Sequence, residues 1–498
     1  MAAGRRADLG PARRDAPRYA LALRGAAQAH EHLRVGDAGR RTRHDAAGSG
    51  RVTGAPEAQA QDAPRWPGIA AALHAAPPRQ LRNLRIPAAV TDLALPAAGD
   101  GLRAAEIEIV QGRLFVRPPG TLPEAAALDL GRRIVWPAPV DCHTHLDKGQ
   151  VWPRTPNPDG SFEGALATAP TDLRFASDAD LRRRAEFMLR CAEAHGTRAI
   201  RSHVDAGPDG RVPRLPVLEE LAQDWRGRLD VQLCPFAGLD GGADALGVLA
   251  TTARRTGTLS LFLQRRSGLD TLLDTIFALA ERYGLALDFH ADETLDPASH
   301  CLRAVARAAL RARFEGPVLV GHCCALSVQP ETEVQETLDL VARAGLGIVA
   351  LPLCNAYLQD RAPGRSPRQR GVAPVKEIAA RGIPVALASD NVRDAFYAYG
   401  DLDVPGLFRD ALRMMQLDHP VGDWPAAVTR TAADLIGRPD LGRLRDGNPA
   451  DLILFNARNW SEFAARPQSD RVVLRRGAAR DTTPPEFPDL DDLKGMTA

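Results

Sequence analysis

The stretch Val140-Asp141-Cys142-His143-Thr144-His145 ends an apolar run with two histidines one residue apart. Residues i and i+2 of a strand point to the same side, so both imidazoles reach one ion. His-x-His alone is common by chance. Three further groups give it weight: His290 in Asp288-Phe289-His290-Ala291-Asp292-Glu293, His322 in Val320-Gly321-His322, and Asp390 in Ala388-Ser389-Asp390. Each ends an apolar or β-prone run, and they lie far apart in sequence. That is the pattern of ligands on the C-terminal rims of separate barrel strands. Imidazoles plus one carboxylate suit a divalent ion such as Zn(II) or Fe(II). His143, His145, His290 and Asp390 are the expected ligands. Such an ion lowers the pKa of a water it binds from about 15.7 towards about 7, and Asp390 then serves as ligand and as base. This machinery suits hydrolysis at an sp2 carbon, without choosing C–N over C–O cleavage.

Two more groups fit around that centre. Glu293 stands three residues past His290, where a carboxyl shuttles protons above the ion or, with Asp292, opens a helix as an N-terminal acid. His322 follows a strand and Gly321, placed to polarise water or hydrogen-bond a transition-state oxygen, or else to pack behind the site. A two-metal site bridged by a carboxylated lysine is not expected, because the lysines are Lys148, Lys376 and Lys494 and none falls on a central strand. A single ion is therefore predicted, with Lys148 a loop residue or salt-bridge partner. His195, His300 and His419 have no comparable context and read as structural or surface residues.

The elements that must hold these residues follow from the apolar pattern. Between roughly 136 and 430, short apolar runs (199–204, 229–233, 286–289, 318–320, 346–350, 383–388) alternate with helical patterns such as 179–194, 269–283 and 303–313. That alternation predicts parallel strands with helical crossovers, and its length favours a (β/α)8 barrel over an open doubly wound sheet. No Gly-rich phosphate loop is present. Short β segments at 84–87, 105–110 and 114–116 return at 451–455 and 471–474, which predicts a small β-sandwich built from both ends, over 81–135 and 431–480. Residues 1–80, rich in Ala, Arg, Gly and Pro, read as a disordered extension, and 481–498 as a tail.

Composition narrows the class. The 498 residues carry a net charge of +1, which gives no global electrostatic case for nucleic acid or a membrane surface. No apolar run approaches the roughly 20 residues of a membrane span, and no signal-peptide core is visible at the start. Seven scattered cysteines, without framework spacing, read as reduced thiols in a cytoplasmic protein.

Taken together, the motifs resemble the cytosine deaminase branch of the amidohydrolase superfamily. The match spans roughly 82–478 and rests on His143-Thr144-His145-Leu146-Asp147, Arg201-Ser202-His203-Val204-Asp205, His290-Ala291-Asp292-Glu293, Gly321-His322, Pro352 to Arg361, Asp390 to Tyr397 and Gly447 to Leu452. The resemblance implies a distorted (β/α)8 barrel with a composite β-sandwich and one Fe or Zn ion on His143, His145, His290 and Asp390. It implies Glu293 as the acid for a ring nitrogen, and His322 and Asp390 as acceptors of the water proton. The partners would be a heterocyclic small molecule and water. Relatives commonly oligomerise, but nothing in this sequence sets a number. The His-x-Glu and Pro-Cys-x-x-Cys signature of the unrelated cytidine deaminases is absent.

The pocket departs from that family. Gly238 stands where a glutamine would hold the pyrimidine amide face, Asn391 follows the metal aspartate in place of aspartate, and Phe396 replaces a tryptophan. Losing an amide clamp changes selectivity strongly, because polar-edge readers discriminate by paired hydrogen bonds. The expected ring is a C5-substituted cytosine, another amino-pyrimidine, an amino-triazine or a larger fused system. Asn355, Gln359, Tyr357 and Arg361 are expected at the mouth, with Gln359 as the substitute clamp. The alternative chemistry on the same site is a cyclic amidase or N-alkyl amidohydrolase.

Overall fold

The computed structural model describes residues 64–94, 99–467 and 470–496. Residues 1–63, most of the extension read above as disordered, lie outside the described residues. Four strands come first: β1 (Gln80–Pro87), β2 (Leu102–Val110), β3 (Arg113–Arg117) and β4 (Leu128–Pro137). Eight more follow through the middle: β5 (Val140–Thr144), β6 (Ala199–Asp205), β7 (Asp230–Ala237), β8 (Thr258–Leu263), β9 (Ala286–Ala291), β10 (Val318–His322), β11 (Gly347–Ala350) and β12 (Val385–Leu387). The last three are β13 (Leu452–Phe455), β14 (Arg471–Arg475) and β15 (Ala478–Ala479).

β5 to β12 form one eight-stranded sheet in sequence order, every neighbouring pair parallel, with helices between the strands. This is the expected (β/α)8 barrel. Its strands are buried on both faces, which is why they read as continuous apolar runs. The crossover helices show ordinary end signals. Asp178–Ala194 starts on Ser177, whose hydroxyl accepts from Asp180 N–H, and buries Leu181, Ala185, Met188 and Leu189. Leu269–Tyr283 stops at Gly284, whose φ of 64° suits glycine, and the chain turns there into β9 and His290.

The barrel closes through very little. β12 meets β5 at a single bridge, Thr144 to Asp390. Asp390 N–H donates to the His143 carbonyl at 2.9 Å, and the Thr144 hydroxyl donates to the Asp390 carbonyl at 2.7 Å. The seam therefore sets the expected metal aspartate beside both histidines of the His-x-His.

Strands from both ends share a seven-stranded sheet in the order β15-β14-β13-β4-β1-β2-β3, joined across the antiparallel pair β13–β4. Leu84, Ile107, Leu130, Leu452 and Leu474 bury its core. Trp136, fully buried at the end of β4, packs edge-on to Phe408 and Phe455 at 5.2 Å and ties this sheet to the barrel helices.

Two segments read as lying outside the fold belong to it. Trp66–Ala75 is a helix whose Ile69 and Leu73 enter the β core, although the extension was expected to run to residue 80. Trp66, Ile69 and Leu73, at i, i+3 and i+7, face that core, but four alanines between and after them leave a stripe only one residue wide. At the other end Leu490 packs with Phe187 and Cys191, and the Lys494 carbonyl accepts from Arg154 at 3.3 Å. All seven cysteines are free and buried. Among the described residues, no helix is long and apolar enough to cross a membrane.

Candidate metal centre and catalytic cavity

β5, β9 and the β12 seam bring His143, His145, His290 and Asp390 to one point. His290 Nε2 lies 3.1 Å from His143 Nε2 and 3.4 Å from His145 Nε2. Asp390 Oδ1 lies 3.3 Å from His145 Nε2 and 3.7 Å from His143 Nε2. All four side chains are buried, and neither carboxylate oxygen of Asp390 has a hydrogen-bond partner. Such orphaned oxygens are costly unless a cation or donor meets them. Burial holds the three imidazoles well below their ordinary pKa, so they are neutral, as ligands must be. Burial, then Asp394 and Asp141, push Asp390 up to about 7, a balance that a cation would reverse. Three neutral imidazole nitrogens and one unpartnered carboxylate fit a divalent ion such as Fe(II) or Zn(II). Asp390 also sits at φ 66° and His322 at φ 71°, left-handed conformations that non-glycine residues keep where surrounding structure enforces them.

Sequence reading assigned no role to His203, which β6 brings behind His143. His203 Nε2 is 3.2 Å from His143 Nδ1, and His203 Nδ1 is 2.8 Å from Ser260 Oγ. For His143 Nε2 to offer a lone pair, its proton must sit on Nδ1 and be donated to His203; His203 then donates to Ser260. The relay fixes the tautomer and ring orientation of the ligand histidine. The signal was the motif Arg201-Ser202-His203-Val204-Asp205, which places His203 inside β6, two residues from its C-terminal end.

Of the two roles weighed for Glu293 and Asp292, helix capping falls to Asp292. Asp292, at φ 54°, caps the helix Cys301–Ala312 by accepting from Cys301 N–H and Leu302 N–H at 2.8 and 2.9 Å. Glu293 is thereby left free, and its carboxyl comes within 4.8 Å of Asp390. Burial and the Asp390 charge hold Glu293 well above the usual carboxylate range, which favours its protonated form. His322 Nδ1 lies 3.3 Å from Glu293 Oε1 and accepts from the Asn355 amide at 3.0 Å. With Nδ1 accepting, the His322 proton is on Nε2, which has no protein partner. Burial lowers His322 to about 3, so it is neutral.

Above this floor opens a cavity of about 510 Å³ lined by His145, His290, Glu293, His322 and Asp390, with Gly238, Asn391 and Phe396 in its walls. Lys148 also lines it, 3.1 Å from Asp205. Burial alone would depress Lys148, but Asp205, Asp147 and Asp394 outweigh it and hold the ammonium above its ordinary pKa. Asn391 donates to Asp394 at 2.7 Å, so its amide nitrogen is engaged within the wall.

Four residues expected at the mouth are elsewhere. Asn355 is buried beneath His322. Gln359 donates to the Glu293 carbonyl at 3.2 Å, so it positions the acid and does not clamp a ring. Arg361 stacks on Tyr357 at 4.4 Å, and neither lines the cavity. Their segment forms the helix Pro352–Leu358, which turns these side chains beneath and beside the floor. Gln264, just past β8, does line the cavity. It carries the signal used for the histidines, a polar residue ending an apolar strand, but it was not singled out.

The amidohydrolase family model matches residues 223–481, just over half of the chain. A pterin deaminase from Rhizobium rhizogenes is 46% identical, over 83% of this chain and 96% of its own length. An N-isopropylammelide isopropyl amidohydrolase from a Pseudomonas species is 22% identical, over 70% of this chain and 86% of its own. The crystal structure of a 5-methylcytosine deaminase from Klebsiella pneumoniae, liganded with 5-fluorocytosine, superposes with a TM-score of 0.68 at 22% identity, covering 80% of this chain and 96% of that one. The chain belongs to the amidohydrolase family. The resemblance to its deaminase branch, drawn from the motifs, agrees with these matches.

Proposed function

We propose that this protein hydrolytically removes the exocyclic amino group of a fused nitrogen heterocycle of the pterin kind, using one divalent ion held by His143, His145, His290 and Asp390. The observation that carries the chemistry is the pairing, on one buried floor, of the Glu293 and Asp390 carboxyl groups within 4.8 Å of each other, with Glu293 shifted towards its protonated form. Two carboxyl groups whose surroundings divide them into acid and base are what hydrolysis of an amidine carbon needs. The choice of ring rests on the relative at 46% identity and on a cavity wide enough for two fused rings where Gly238 offers no side chain.

When bound, the ion supplies a strong nucleophile from water at neutral pH. Asp390 takes the water proton; neutral His322, with Nδ1 accepting from Asn355 and its own proton on Nε2, has no lone pair left for it and serves as a donor. Glu293 delivers its proton to the ring nitrogen beside the amino-bearing carbon. A C–O bond forms there, the carbon becomes tetrahedral, and the C–N bond breaks as the amino group leaves with the proton relayed to it. His322 Nε2–H points into the cavity as a donor for the oxygen that develops charge.

Ammonia release tests the proposal, with pterin, isoguanine, cytosine, 5-methylcytosine and amino-triazines offered to protein loaded with Fe(II) or Zn(II). Preferred release from the fused ring supports it. Cytosine far ahead of every other ring would overturn the ring assignment. An alkylamine in place of ammonia, released from N-alkyl triazines, would shift the reading to the chemistry named for the Pseudomonas relative.

A further inference from the structure

A second cavity, of about 280 Å³, lies against the first. The two share Ala206, Gly207, Pro208, Gly238 and Asp240 in their linings. This common wall follows β6 and β7, and two of its five residues are glycines. At Gly238 an added Cβ would meet nothing within 4 Å, so the backbone there borders open space. The far side is apolar: Leu246, Leu249 and Leu261 are buried there, and Leu272 covers them half-buried. The space is partly open, with Gly238, Asp240, Gly241 and Gly242 exposed at its edge, and an apolar recess beside a reaction cavity is a place where a ligand gains by desolvation.

We propose that this space is a second chamber of the substrate site, taking an uncharged apolar substituent carried by the heterocycle. The inference rests on the deaminase reading for the identity of the ring. The absence of a side chain at Gly238 has two consequences: it removes a polar clamp, and it leaves open the way from the ring position into the chamber. The one charged wall residue, Asp240, has a fully exposed side chain 3.6 Å from Arg266 and is turned to solvent. It adds no cation that would draw an anionic group inward.

The test is calorimetric affinity of the metal-loaded protein for pterin and for its propyl derivatives substituted on the pyrazine carbons, with ammonia release followed on the same samples. One propyl isomer binds tighter than pterin by about tenfold or more, as expected for burying a short alkyl chain. In Leu272→Trp, which fills the chamber from its half-buried side, that advantage falls to within about twofold. In Leu246→Ala, which enlarges it, the advantage persists or grows. The ratio of the two affinities is insensitive to any misfolded fraction, because that fraction binds neither compound. Equal affinity of pterin and all its propyl isomers for the wild type, or an advantage that survives Leu272→Trp, would overturn the chamber. Absence of ammonia would overturn the deaminase reading instead, while the affinity ratio still decides on the chamber.

Discussion

The floor of the catalytic cavity and its rim are built in opposite ways. On the floor, the polar side chains lie at or just past strand ends and the seam, and several are held from behind: His143 by His203, His322 by Asn355, the Glu293 backbone by Gln359. The rim is a loop excursion between β5 and the helix Asp178–Ala194. It exposes Leu166 by 46% and Leu173 by 62%. A buried guanidinium is one of the groups that fix the rim, beside the Asn157 amide, which donates to the Ser161 and Ala395 carbonyls. Arg154 donates to Asp172 at 2.6 Å and to Asp180 at 2.7 and 2.8 Å, and reaches the C-terminal segment at Lys494. A floor of strand ends supplies geometry that chemistry requires within about half an ångström. A rim of loops is free to choose the ring.

The sharpest way to break this contrast is to remove a floor ligand. Asp390→Asn should lower ammonia release by on the order of 10⁴-fold or more, with metal content measured alongside to show the loss of the ion. Glu293→Gln should keep the ion and lose kcat by about 10²- to 10⁴-fold, since a positioned proton donor contributes that much. Metal retained with unchanged kcat would remove Glu293 from the chemistry. His203→Ala acts one layer out and should weaken metal affinity by about 10- to 100-fold, read by competition with a chelator. If affinity is unaltered, the relay through Ser260 orients nothing. Arg154→Ala strikes the rim. It leaves Asp172 and Asp180 buried without their principal partner, so it should cost about 3–5 kcal/mol in denaturant unfolding. It should raise KM severalfold while kcat per bound metal stays close to wild type. A collapse of kcat in that variant would mean that floor and rim are one unit.

The same contrast explains what could be read before the structure. The barrel and the convergence of His143, His145, His290 and Asp390 were legible because buried parallel strands are largely apolar and stop at polar residues. His143, His290, His322 and Asp390 all stand at such stops. Glu293 could not be separated from Asp292 by sequence, because capping the helix Cys301–Ala312 takes an acid nine residues before its first turn, a contact made by loop geometry. The rim residues were misplaced for a related reason. Leu351 and Pro352 open a short helix that turns Asn355 and Tyr357 away from the cavity, while Gln359 and Arg361, just past its end, point back to the Glu293 and Tyr357 carbonyls. The helix Trp66–Ala75 was hidden by its alanines, and the docked C-terminus by the absence of any period.

The most direct measurement of the central claim is a reconstitution titration: metal-free protein receives increasing Fe(II) or Zn(II), and bound metal and ammonia release from pterin are measured on each sample. The account predicts no ammonia without metal, a rate rising in proportion to bound ion, and a break at one ion per chain. Ammonia release from the metal-free protein, or a rate that appears only beyond a second bound ion, would contradict it.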